Sequence, residues 1–163
     1  MKKNSDNKAK RAGTRAAEAC NISGIVKGKS GDFKGAIRDF DKAIKHDPEY
    51  APAYINRGNA KHLLGDFKGA IGDCVKAIEL EPKSAAAYNN LANAKTGLGD
   101  YSAAIKDYDT AIQLNPRDAQ YYCNRGFVKN KLGDKENALK DINKAKELGY
   151  NAETDKINLY PEK

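Results

Sequence analysis

A repeat with a period of 34 residues constrains the fold of this chain more than any other feature of its sequence. Each repeat holds two segments in which apolar residues recur three and four positions apart, the spacing that places them on one stripe of an α-helix. A Gly-Asp pair separates the two segments. Glycine adopts the left-handed conformation that ends a helix, and the aspartate carboxylate caps the N–H groups that begin the next one. The pairs are Gly31-Asp32, Gly65-Asp66, Gly99-Asp100 and Gly133-Asp134.

Other positions also keep their residue type from one repeat to the next. Proline, which lacks the amide proton and disfavours helix at the residue before it, closes the first three repeats. The recurring positions hold Pro48, Pro82 and Pro116; Ala36, Ala70, Ala104 and Ala138; Ala43, Ala77, Ala111 and Ala145; and Tyr54, Tyr88 and Tyr122. A single repeat is too small to bury a core of its own, so the pattern predicts stacked helix pairs with no strands.

A helix–turn–helix period of 34 residues with this Gly, Ala, aromatic and Pro pattern resembles the tetratricopeptide repeat. The resemblance covers residues 17–150. It implies an all-α fold, a right-handed α-solenoid of four helix–turn–helix repeats. The repeats are 17–50, 51–84, 85–118 and 119–152. Helices are expected at 32–46, 52–64, 66–80, 85–98, 100–114, 119–132 and 134–148.

Two short segments flank the repeats. Residues 1–13 are polar and charged without periodicity, so they are predicted to be a disordered basic tail. The array, residues 14–152, is then expected to begin with a helix near Thr14. Residues 153–163 are predicted to form a short C-terminal cap and tail, because a terminal repeat leaves an apolar face open.

The net charge of +7 raises the question of nucleic-acid binding. Residues 1–16 carry six basic residues against one acidic residue, so most of the excess lies on the tail. The repeats show no basic face with stacking aromatic residues, and we expect no nucleic-acid partner. No apolar stretch approaches the ~18 residues that a membrane span needs. We therefore expect no membrane partner and a cytoplasmic location. In that reducing compartment the three cysteines are expected to stay unpaired and to act as small apolar side chains.

Few residues suggest chemistry. The segment GIVKGKS, residues 24–30, resembles a phosphate-binding loop but is one residue short and follows no buried strand. The two histidines, His46 and His62, have no partner at a metal-ligand spacing. The sequence therefore predicts a protein that is not an enzyme, with no catalytic residues, no metal and no cofactor.

Two series of charged residues repeat with the same period. Because the two helices of a repeat are antiparallel, the lysines of the first helix and the aspartates of the second are expected to pair at an exposed edge, where each pair contributes little. Arg57 and Arg125 lie at about the level of the aspartates. The series are Lys27, Lys61, Lys95 and Lys129, and Asp39, Asp73, Asp107 and Asp141.

The resemblance implies that the first helices of the repeats line a concave groove that binds an extended peptide or a helix. An amide side chain offers both a donor and an acceptor to a peptide backbone. Groove positions of the first helices are rich in asparagine, which is a poor helix former and needs another reason to recur there. The residues predicted to line the groove are Asn56, Asn90, Asn124, Asn59, Asn93, Asn89, Ile55, His62, Leu63 and Phe127.

The family also contains a carboxylate clamp that binds the acidic C-terminal tails of cytosolic chaperones through two asparagines and three cations. The matching residues in the first three repeats are Asn21, Ile25, Asn56, Ala86 and Asn90. Those in the last three are Ile55, Asn59, Asn90, Gln120 and Asn124. All three cations are absent from both sets, so that clamp is not expected here.

The sequence thus favours a protein–protein interaction module, a scaffold or adaptor whose partner is a protein or a peptide. Two alternatives stay open. One is a structural self-assembly unit, a homo-oligomer that stacks through weakly capped solenoid ends. The other is the adaptor part of a larger enzyme.

Overall fold

The computed structural model describes the backbone of residues 2–151 and the side chains of residues 10–151. Within this range the chain forms eight α-helices and no strand. They are α1 (Lys2–Lys29), α2 (Phe33–His46), α3 (Ala51–Leu63), α4 (Phe67–Leu80), α5 (Ala85–Gly97), α6 (Tyr101–Leu114), α7 (Ala119–Lys131) and α8 (Lys135–Glu147). From α2 onward, each helix begins and ends within one residue of its predicted bounds.

The helices pack as four antiparallel pairs that follow one another in chain order. Each second helix also contacts the first helix of the next pair. The first helices α1, α3, α5 and α7 contact one another in sequence, whereas the described second helices make no contact among themselves. First helices therefore lie on the inner side of the curve and second helices on the outer side. The predicted all-α, right-handed solenoid is confirmed.

The turns inside each pair are formed by the predicted Gly-Asp dipeptides. Each of these glycines has a positive φ, from 82° to 87°, a conformation that side-chain-bearing residues avoid. Each aspartate then accepts a hydrogen bond from a backbone N–H three residues later, as in Gly35 N to Asp32 Oδ1 at 2.8 Å. The turn chemistry thus depends on two adjacent residues, which explains why the sequence alone locates it.

The recurring alanines lie where helices cross. Ala36, Ala70 and Ala104 are fully buried, as are all four residues of the second alanine position. Ala104 packs in a cluster with Ala92 of the preceding helix and Val128 of the next repeat, and Tyr101 and Ile105 lie against the same cluster. The small side chain of Ala104 thus lets α5, α6 and α7 approach closely, and the hydrophobic core continues from one repeat into the next.

The two charged series pair as predicted, but they are less exposed than predicted. The Lys61 ammonium lies 2.8 Å from Asp73, and the Lys129 ammonium lies 2.8 Å from Asp141. Asp39, Asp73 and Asp141 are at most 5% exposed, because the second helix of each pair carries the aspartate on the side that faces the first. The expectation of an exposed edge is wrong for these carboxylates.

Arg57 and Arg125 join neighbouring repeats. Arg57 donates from Nε to Asp73 of its own repeat at 2.9 Å and from Nη1 to Asp41 of the preceding one at 2.6 Å. Arg125 does the same with Asp141 and Asp109, at 2.8 and 2.6 Å. Burial opposes the charged guanidinium of Arg57, but hydrogen bonds to Asp73 and Asp41 outweigh it and raise its pKa. These arginines therefore stabilise two junctions of the array.

The expected start of the first helix is wrong. α1 begins at Lys2 rather than near Thr14, so the backbone of residues 2–13 is helical and not the predicted disordered tail. These residues include Lys, Ala and Arg, which favour helix, and no proline. Near the end of this extension the Lys10 ammonium pairs with Glu49 in the turn after α2 at 2.9 Å, and just beyond it Thr14 Oγ1 donates to Asp47 at 2.8 Å.

The predicted C-terminal cap, residues 153–163, lies outside the described residues. Within residues 2–151, no helix has the length and hydropathy that would let it cross a membrane.

Candidate peptide-binding groove

The predicted groove residues fall into two groups, which differ in whether their polar side chains are hydrogen-bonded within the protein. All ten lie on α3, α5 or α7, the first helices of the last three repeats. The asparagines on α5 and α7 are mostly hydrogen-bonded to each other, whereas Asn56 and Asn59 on α3 keep polar atoms that make no hydrogen bond with the described residues.

The asparagines of α5 and α7 form a network between the third and fourth repeats. Asn124 is 2% exposed, and its Nδ2 donates to Asn89 Oδ1 at 3.0 Å and to Asn93 Oδ1 at 3.2 Å. Its Oδ1 accepts from Gln120 Nε2 at 2.6 Å. Tyr108 donates from its hydroxyl to Asn93 Oδ1 at 2.6 Å. Both atoms of the Asn124 amide are therefore hydrogen-bonded within the protein, and the network joins two repeats.

Asn90 and Asn56 serve the junctions nearer the start of the chain. Asn90 Nδ2 donates to the backbone oxygen of Ile55 at 3.3 Å. Asn56 Nδ2 donates to Asn21 Oδ1 at 2.9 Å. Each thus connects its first helix to that of the preceding repeat. The Oδ1 of Asn56 accepts no hydrogen bond from the described residues, so half of this amide is available to a ligand.

Asn59 is the most available of the predicted amides. It is exposed on α3, and its side chain makes no hydrogen bond with the described part of the chain. Ile55 and Leu63 lie one helical turn before and after it and are half-buried. α3 therefore presents an apolar stripe with one open amide at its centre.

The two remaining predicted residues, both aromatic, do not extend this stripe. His62 is 1% exposed, and its ring is tilted against Phe67 with 5.4 Å between the centroids. It belongs to the core and not to the groove surface. Phe127 is half-buried on α7, packs against the cluster around Ala104, and has the Lys131 ammonium 5.3 Å from its ring centroid.

Sequence reasoning missed a crevice between α1 and α3, which has a volume of about 530 Å³. Ile25 and Gly28 of α1 form one wall, and Asn59 and Leu63 of α3 form the other. The floor consists of Phe33, Ala36 and Phe40 from α2. The sequence signal was the glycine itself, because the same register position holds His62 and Thr96 in the next two repeats.

The crevice wall includes the segment that resembles a shortened phosphate-binding loop. α1 continues as helix through Lys29, so the backbone N–H groups of residues 24–28 point along the helix and cannot cradle a phosphate. The segment is the end of a repeat helix, as its register indicates.

The match to protein families agrees with this architecture. Models of the tetratricopeptide repeat match residues 51–84, 74–106 and 119–148, and a related TPR repeat model matches 29–65 and 93–133. Together they extend without a gap from residue 29 to residue 148. Among curated protein sequences, no significant match to this chain was found.

Three solved structures illustrate the similarity. MamA from Desulfovibrio magneticus RS-1 is 25% identical with a TM-score of 0.72, over 85% of this chain and 77% of that one. The first TPR of Spaghetti (RPAP3), bound to the HSP90 peptide SRMEEVD, is 25% identical with a TM-score of 0.70, over 74% and 95%. The TPR protein TTC0263 from Thermus thermophilus is 22% identical with a TM-score of 0.78, over 82% and 75%, and shows the fold alone.

Proposed function

We propose that this chain, which belongs to the tetratricopeptide repeat family, is a protein–protein interaction module that binds an extended segment of its partner along α3. The observation that carries the proposal is the open amide of Asn59 between Ile55 and Leu63, with the unused Oδ1 of Asn56 beside it. A peptide backbone has one donor and one acceptor per residue. An amide flanked by apolar side chains is suited to such a ligand, because it pairs with both groups.

The RPAP3 domain, similar in fold, was solved with a bound peptide, which supports peptide binding by this architecture. This chain lacks the three cations that the carboxylate clamp requires. The proposed partner is therefore recognised through its backbone and apolar side chains, not through a terminal carboxylate. The proposed activity is binding without catalysis.

The test uses a partner isolated with the intact chain as bait and then titrated by calorimetry. Replacing both Asn56 and Asn59 by Ala should weaken binding about tenfold or more, because two lost hydrogen bonds of about 0.5–1.5 kcal/mol each approach or exceed ~1.4 kcal/mol. Asn143→Ala is the matched control, since Asn143 is exposed on α8 of the outer side. Equal affinities of the double variant and the wild type for the partner would show that the binding site does not lie on α3.

A cytoplasmic location is part of this proposal. Cys74 is fully buried in the core, where burial raises the pKa of its thiol to about 12. It acts as a small apolar side chain, which is the use of cysteine expected in a reducing compartment.

Stacking of chains through the solenoid ends is a second candidate function, favoured by one observation. Val26 on α1 and Leu139 on α8 are 61% and 60% exposed. Their register equivalents, such as Val128 and Ile105, pack in the seam between the third and fourth repeats. Light scattering over a concentration series distinguishes the candidates, because stacking raises the average mass with concentration.

A further inference from the structure

We propose that the crevice between α1 and α3 is a subsite for one large apolar side chain, phenylalanine or leucine, of a peptide that carries an acidic residue next to it. This inference rests on the proposed function, since it names the kind of segment that the same groove binds.

The crevice exists because position 28 is glycine. At the equivalent position of the next two repeats, His62 and Thr96 are 1% and 3% exposed, and His62 packs against Phe67, the register equivalent of Phe33 in the crevice. A Cβ added at Gly28 would meet only one atom within 4 Å, the Cβ of Ala36 at 3.9 Å. The first repeat therefore leaves open a site that the second and third close with their own side chains.

The lining of the crevice fits a side chain that enters from a peptide. Its floor is apolar, with Phe33, Ala36 and Phe40, and Ile25 and Leu63 form apolar walls. Asn56 and Asn59 stand at the same opening and retain the hydrogen-bonding capacity described above. The crevice thus combines apolar side chains with polar groups, and its volume of about 530 Å³ lies within the range of sites that bind organic groups.

The charge at the rim gives the second element of recognition. Lys29 is exposed and borders the crevice. No carboxylate among residues 10–151 forms an ion pair with it, whereas Lys27, two residues earlier, is paired with the buried Asp39. An acidic residue beside the apolar anchor would therefore meet a cation that has no competing partner in the described part of the chain. An exposed pair of this kind adds modestly to affinity.

Three capped hexapeptides are the probes. The first is acetyl-Gly-Ser-Phe-Glu-Ser-Gly-amide, the second has Ala in place of Phe, and the third has Lys in place of Glu. Each is titrated into the ¹⁵N-labelled full chain, and amide shifts are followed by NMR. The Phe-Glu peptide should shift Gly28, Asn59 and Leu63. The Ala peptide should bind at least about tenfold more weakly, because a buried aromatic side chain is lost, and the Lys peptide should bind a few fold more weakly.

Two glycine variants locate the binding. Gly28→His should fill the crevice as His62 does in the next repeat and abolish the shifts caused by the Phe-Glu peptide. Gly72→His is the matched control, because Gly72 is also inside a helix, is exposed, and has nothing within 4 Å of an added Cβ. Both changes remove a helix glycine and should leave the circular dichroism spectrum unchanged or improve thermal stability.

The outcomes separate this inference from the proposed function. Equal affinity for the Phe and Ala peptides, or unchanged binding by a folded Gly28→His variant, overturns the subsite while leaving capture along α3 intact. No shift with any of the peptides also overturns the subsite, and the partner calorimetry then decides the proposed function separately. The comparison of the first two peptides uses wild-type protein, so it stands even if the histidine variant fails to fold.

Discussion

Asparagine side chains at one register position of this solenoid have different tasks. Asn56, Asn90 and Asn124 are each separated by 34 residues, and the sequence predicts the same role for all three. In the structure Asn124 is buried and hydrogen-bonded on both sides of its amide, whereas Asn56 keeps its Oδ1 available. The difference comes from the same helix, because Gln120 donates to Asn124 Oδ1 from four residues earlier, whereas the residue four positions before Asn56 is Pro52, which has no side-chain donor.

Replacing Asn124 by Ala should therefore destabilise the fold, because this residue is buried between two repeats although the sequence predicts it to line the groove. The change leaves the buried amides of Asn89 and Asn93 without one partner, at a cost of about 1–3 kcal/mol. Chemical denaturation should show a lower midpoint with an unchanged slope. Asn59→Ala, at an exposed position, is the control and should keep the wild-type midpoint. Equal midpoints for both variants would show that the network contributes nothing to stability.

At the scale of single residues, the sequence predicts type and face but not hydrogen-bond partners. Their register predicts that Asn59 and His62 both line the groove, yet Asn59 is exposed and His62 is buried. Register gives the direction of a side chain relative to its own helix. Whether the next repeat covers it depends on distances between helices, and on whether a glycine such as Gly28 leaves room.

Helices and their turns are the scale at which sequence reasoning succeeds best here. The four Gly-Asp turns and the proline ends act through the residues beside them, so they can be located without tertiary information. The exception is the start of α1. There, Lys10 and Thr14 contact the turn after α2, a long-range contact that no local pattern reveals.

The crossing of α5, α6 and α7 leads to a prediction at this scale. Ala104 is fully buried in the cluster at that crossing. Ala104→Leu should force the helices apart and lower the free energy of unfolding by about 1–3 kcal/mol. Ser102→Leu, exposed on the same helix, is the control. A denaturation midpoint that does not change in the Ala104 variant would contradict the close approach.

The ion pairs within a repeat predict a dependence on pH. Hydrogen bonds from Lys27, then from Lys42 and Ser23, hold the pKa of Asp39 well below its usual value. Because the folded-state pKa is the lower one, the ionised carboxylate stabilises the fold above about pH 4, where an aspartate titrates in the unfolded chain. That contribution is lost as the pH falls from there toward the folded-state pKa.

Asp39→Asn should therefore be less stable than the wild type at neutral pH, with a difference that narrows below about pH 4. Thermal unfolding followed by circular dichroism at several pH values measures this. Glu147→Gln, which removes an exposed partner of Lys144, should change stability little at any pH. A difference between Asp39→Asn and the wild type that is constant with pH would mean that the pKa of Asp39 is not lowered in the folded state.

The whole molecule is a short array whose two described end helices differ in how well they could join another repeat. On α1, Val26 offers an apolar surface like that of Val128 inside the array. On α8, the positions held by Tyr101 and Ile112 in the third repeat are taken by Lys135 and Lys146. Inside the array, both positions contact the first helix of the next repeat. Tyr101 packs in the cluster with Val128, and Ile44, which is equivalent in register to Ile112, packs in the cluster with Ala53. On α8, both of these contact positions carry a charged lysine instead.

This asymmetry predicts a monomer whose ends can be made to stack. The double variant Lys135→Tyr and Lys146→Ile gives α8 the contact residues of α6, so it should associate end to end with α1 of another copy, because apolar area is buried in place of two solvated ammonium groups. Multi-angle light scattering over a concentration series should then show a mass that rises with concentration, while the wild type keeps the mass of one chain.

Adding Val26→Glu to the double variant should restore the monomer, since it puts a carboxylate into the new contact between α8 and α1. Association that persists with Val26→Glu would place the contact elsewhere on the surface. Association of the wild type itself, removed by Val26→Glu, would show that the lysines of α8 do not prevent stacking and would favour self-assembly over the groove as the function of this chain.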